Sequence, residues 1–140
     1  MSTFSTLLTQ LETNVDIPHP VGLKPRLRRQ SGFLWTLREI ATSSPRLEAL
    51  IFGPGDYAAS MQMPLTDIGA FDEYDALYPG HRWHGVMHTI VAAARANGLR
   101  CMDGPYANFR DESGLVEVTK VPERWALMGN SASTPHNWPR

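Results

Sequence analysis

The chain predicts an α/β fold built on parallel strands, and three observations carry that prediction. Ala49 to Phe52 are four consecutive apolar residues, which suits a strand covered on both faces better than one with a wet face. A second short apolar run, residues 99–102, follows after one long helical pattern, and that order is the grammar of a right-handed strand–helix–strand unit. Both runs end in a turn carrying glycine, proline and an acid, Gly53-Pro-Gly-Asp56 and Asp103-Gly-Pro105, so the acids gather at one end of the sheet.

Taken in order, residues 4–12 read as a short strand ending in an acid, Glu12, and residues 16–30 as an exposed irregular loop rich in proline and basic residues. The basic run from Arg26 to Arg29 lacks interleaved aromatics and reads as a solvated linker rather than a nucleic-acid patch. Leu34, Leu37, Ile40 and Ala41 recur at helical spacing, and Pro45 stops that helix. After the apolar run, Gly53 and Gly55 supply backbone freedom around a stiffening Pro54, with a helix over residues 57–60 behind them. On pattern alone Asp56 is either a ligand for a metal or polar substrate, or the N-cap of that helix.

Residues 61–80 are turn-rich, with Met61 and Met63 read as packing and Tyr74, Tyr78 and Trp83 as a small aromatic cluster. His84 and His88 sit four apart on a helix predicted over residues 83–97, but with no third ligand they read, like His81, as surface or capping histidines. Asn97 and Gly98 supply a left-handed close to that helix. Asp103 reads either as a residue that assists catalysis or as one that fixes its own loop by accepting backbone N–H bonds. Residues 107–117 form a loop leading to a helix.

Composition narrows the function classes. With 42% hydrophobic residues, 140 residues make one domain with a real core. A net charge of −1 from 13 basic and 14 acidic residues predicts no attraction to nucleic acid or membranes. The single cysteine, Cys101, excludes an intramolecular disulfide and fits a reducing cytoplasm. No run of 18 apolar residues and no signal-peptide core appears, so a chain that neither spans a membrane nor is secreted is expected.

The glycine-proline-glycine-aspartate turn resembles that of the citrate lyase β-subunit-like branch of the HpcH/HpaI aldolase family, which includes malyl-CoA and citramalyl-CoA lyases. Two further blocks, residues 88–99 and 100–111, agree with that family in order and spacing, and the resemblance covers about residues 37 to 115. It implies a (β/α)8 TIM barrel of the phosphoenolpyruvate/pyruvate type. Such a barrel takes about 250 residues, so this chain is expected to be an incomplete one, its C-terminal portion. The division implied is an irregular or disordered segment over 1–33, a partial barrel over 34–118 and an irregular tail over 119–140.

The implied activity is carbon–carbon cleavage of a 3-hydroxyacyl-CoA thioester into an acyl-CoA and an oxo acid, with Mg²⁺ as cofactor. The expected partners are small molecules, a CoA thioester or an oxo acid, with a homo-oligomer left open. Asp56 is the implied metal ligand. Glu12 is a second, since residues 10–13 are similar to the family's strand-end glutamine-isoleucine-glutamate-threonine, although the interval from Glu12 to Asp56 is longer than the family's. Gly53, Pro54 and Gly55 would bind the substrate carboxylate, and Asp103 is the catalytic candidate.

After Val118 the resemblance breaks off. One choice of codons for residues 124–138, read one base out of frame, spells a family-like ending with glycine-lysine and isoleucine-histidine-proline. The same phase over residues 27–33 spells isoleucine-glutamate-threonine-alanine. The alternative function is therefore a non-catalytic, truncated or frame-shifted remnant of such a lyase.

Overall fold

A computed structural model describes residues 3–27, 32–64, 67–71, 73, 75–77, 82–108 and 110–124. In chain order they form α1 (Thr3–Val15), β1 (Arg26–Leu27), α2 (Phe33–Ala41), β2 (Ala49–Phe52), α3 (Pro54–Ser60), a 3-10 turn (Asp75–Leu77), α4 (His84–Ala96), β3 (Arg100–Met102) and α5 (Glu112–Arg124).

The three strands lie in the order β1-β2-β3 and both pairings are parallel. Leu27 faces Phe52 across one ladder and Leu50 faces Cys101 across the other. This is the side-by-side parallel arrangement that the two apolar runs predict. Helices α2 and α4 form the crossovers and pack on each other, and α4 covers β2 and β3. The core explains why β2 tolerates no polar residue: Ala49, Leu50 and Phe52 are almost wholly buried, as are Ile90 and Ala94 of α4 and Cys101 of β3.

Trp83 joins this core. Its ring lies 5.6 Å from that of Phe52 and 6.2 Å from that of Tyr57, both edge-on, and Phe33 meets Tyr57 at 5.8 Å. Tyr74, Tyr78 and His81 lie outside the described residues. His84 and His88 stack on each other at 4.4 Å on the exposed side of α4. Gly98, with a φ of +69°, closes that helix as expected.

Two expectations at the chain's beginning are corrected. The segment holding Glu12 is helix α1, not a strand: Phe4, Leu7, Leu8, Leu11 and Val15 recur at helical spacing, and Thr9 and Thr13 bond the carbonyls four residues back. The segment 16–30 is not wholly irregular, since β1 lies within it and Leu27 is buried by pairing with β2. At the other end, α5 continues past residue 118 to Arg124; residues 125–140 lie outside the described set.

Candidate functional site

The carboxyl ends of β1 and β2 define a cleft. Gly53 closes β2 and caps α3, while Pro54 occupies the first helical positions, where its fixed φ and missing N–H cost nothing. Asp56 therefore sits in the first turn of α3, and the N-cap alternative is removed. Gly53 must be small because a β-carbon there would stand 2.8 Å from the Leu27 carbonyl oxygen of the neighbouring strand. The stem of Arg26 crosses the same position, its Cγ and Cδ at 3.6 and 3.7 Å.

The cleft has a volume of about 400 Å³ and is lined by Arg26, Gly53, Gly55, Asp56, Ile68 and Pro105 among others. Met63 also lines it while packing on the core, and Met61 is exposed. The structure thus brings together Gly53, Pro54, Gly55 and Asp56 and adds Arg26, which no local pattern pointed to.

Asp103 ends β3, beside the cleft rather than among its lining residues. Its Oδ1 accepts the Gly104 N–H at 2.6 Å, the loop-fixing bond that the sequence allowed. Burial pushes its carboxyl up to about 6, against the lowering effect of that bond.

Glu12 lies at the opposite end of the sheet. It accepts the Val21 N–H at 2.6 Å and two bonds from Arg46, which precedes β2, at 2.7 and 2.6 Å. Asp56 follows β2, so the strand separates the two acids, and Glu12 is a structural anchor rather than a partner for Asp56. Among the described residues no group of three His, Cys, Asp or Glu side chains comes together as a cation site.

Residues 31–135 match the HpcH/HpaI aldolase/citrate lyase family. The chain belongs to that family. The match starts before residue 37 and runs past Val118, so it is wider than the resemblance carried by the three motif blocks. L-malyl-CoA/beta-methylmalyl-CoA lyase of Rhodobacter capsulatus is 43% identical over 105 residues, covering 71% of this chain and 33% of that protein. The enzyme of the same name from Cereibacter sphaeroides is 33% identical over 135 residues, covering 92% of this chain and 42% of its own length. This HpcH/HpaI chain therefore spans less than half of these relatives. The citrate lyase beta subunit of M. tuberculosis, solved with oxaloacetate and magnesium, superposes with a TM-score of 0.60 at 18% identity, covering 94% of this chain and 52% of that one. The fold is an incomplete (β/α)8 barrel, with its parallel strands ending at the cleft.

Mg²⁺ takes oxygen ligands in octahedral geometry and is held by carboxylates together with substrate oxygens. Here Asp56 is the one carboxylate among the described lining residues and a guanidinium shares the cleft with it. The described donor set does not fit the ion.

Proposed function

We propose that this chain keeps the oxo-acid end of a CoA-ester carbon–carbon lyase site without the full metal-ligand set that cleavage requires. The observation that carries the reading is the cleft at the carboxyl ends of β1 and β2, built on the glycine-proline-glycine-aspartate turn. The family's relatives support the substrate class, since their names specify malyl-CoA and beta-methylmalyl-CoA lyases.

In this reading a small oxo acid or the matching end of a CoA thioester enters the cleft. Gly53 and Gly55 let it approach the backbone, and Ile68, Met63 and Pro105 shield it from water. Asp56 holds the position of the lineage's Mg²⁺ ligand, and in a complete site that ion would stabilise charge developing on the oxo-acid oxygen. The second expected ligand, Glu12, is committed to Arg46, which favours the non-catalytic alternative for the chain on its own.

The test is an assay of the purified chain with malyl-CoA and citramalyl-CoA in the presence of Mg²⁺. No turnover above background is expected. Metal-dependent turnover abolished by Asp56→Asn would overturn the reading and show that self-association completes the ligand set.

A further inference from the structure

Resting on the oxo-acid reading, we infer that Arg26 is the anion anchor of the cleft, so that this chain takes a small 2-oxo carboxylate without a divalent cation. Arg26 is the first residue of the two-residue β1 and pairs in register with Ile51, so its backbone is fixed by the sheet. Its stem crosses Gly53 within van der Waals distance and its side chain lines the cleft beside Asp56.

Three other guanidiniums among the described residues are committed to carboxylates. Arg46 bonds Glu12, Arg82 bonds Asp75 and Arg100 bonds Glu48. Arg26 has no carboxylate partner among the described residues, and it faces a cleft whose remaining walls are largely apolar. Arg26 is exposed, so an anion can reach it from solvent, and a guanidinium presents two parallel N–H donors in the spacing of a carboxylate. Arg26 thereby supplies the positive charge that a metal would supply in a complete site, and it discourages a cation from binding next to it.

The experiment is calorimetric titration of the full chain with glyoxylate and with pyruvate, in EDTA and then in Mg²⁺. Methyl pyruvate, which lacks the carboxylate charge, is the control. The expected result is binding in EDTA that methyl pyruvate does not reproduce, weakened roughly tenfold or more by Arg26→Gln and partly restored by Arg26→Lys. Binding that appears only with Mg²⁺ and disappears in Asp56→Asn would overturn the anchor while sustaining the oxo-acid reading. Binding in EDTA that Arg26→Gln leaves unchanged would overturn the assignment of Arg26. No binding under any condition would overturn both the anchor and the oxo-acid reading beneath it.

Discussion

Glu12 and Arg46, thirty-four positions apart, close two hydrogen bonds of 2.7 and 2.6 Å and so tie α1 to the amino end of the sheet. The tie is needed because α1 turns its polar side inward. Ser5 and Glu12 are its buried residues, while Phe4, Leu7, Leu11 and Val15 are each more than half exposed, at 59, 52, 58 and 67%. A Ser5–Ser44 hydroxyl bond of 2.9 Å is a further inward contact. Glu12→Gln should therefore loosen α1 and spare the strands. Amide exchange read residue by residue would show faster exchange over α1 with β2 unchanged; equal protection of α1 in both proteins would refute it.

The same pair sets an acid limit. The Arg46 hydrogen bond, then the Val21 N–H, hold the Glu12 carboxyl below its usual 4.5. With the folded value depressed, the stabilisation is present above about pH 4.5 and is lost as pH falls through the folded value. Thermal melts between about pH 6 and pH 2 should show a shallower acid limb for Glu12→Gln. An identical limb would mean that other carboxyls carry the acid sensitivity.

Gly104 controls the spacing of the two strand-end turns. A β-carbon there would run into the Pro54 ring and stand 3.0 Å from the Phe52 carbonyl oxygen. Backbone cannot yield as a flexible side-chain tip does, so Gly104→Ala should cost about 1–3 kcal/mol. Urea unfolding measures this directly, and an unchanged midpoint would show that the turns shift without cost.

Cys101 offers a reporter of the sheet. It is fully buried on β3, and burial pushes its thiol up to about 11. Thiol reagents at mild alkaline pH should leave it unmodified in the folded chain and label it quickly in denaturant. Rapid labelling without denaturant would indicate that β3 opens locally.

These elements differ in how far the sequence reveals them. β2, β3, α2 and α4 were legible because their signals are local: unbroken apolar runs, helical spacing and a glycine close. The parallel pairing followed from the helix between the runs. Helix α1 is hidden from the sequence by the likeness of the acid at position 12 to a strand-end ligand, although Leu7, Leu11 and Val15 carry helical spacing. β1 has only two residues, and what buries Leu27 is a neighbour from residues 49–52, a contact that no local pattern encodes. The turn holding Asp56 was visible in the chain, whereas Arg26 reached the cleft only through that non-local pairing. A lone apolar residue inside the basic run was the available hint.

Asp103 gives the second pH dependence, of opposite sign to that of Glu12. It is partly buried at the end of β3, and desolvation outweighs the Gly104 hydrogen bond, so its carboxyl rises from 3.8 to about 6. Between those values the folded chain holds a proton that the unfolded chain has released. Stability therefore falls as pH rises from about 4 to about 6, and is level beyond. A shift of that size corresponds to about 3 kcal/mol, and partial exposure reduces it to on the order of 1–2 kcal/mol. Asp103→Asn keeps the side chain's shape and an oxygen for the Gly104 N–H while removing the charge. The variant should lose the decline over that interval and gain about 1–2 kcal/mol at neutral pH. Urea midpoints at about pH 4 and pH 7 for the native chain and the variant decide it. A native chain as stable at the higher pH as at the lower would show that the folded site ionises Asp103 without penalty.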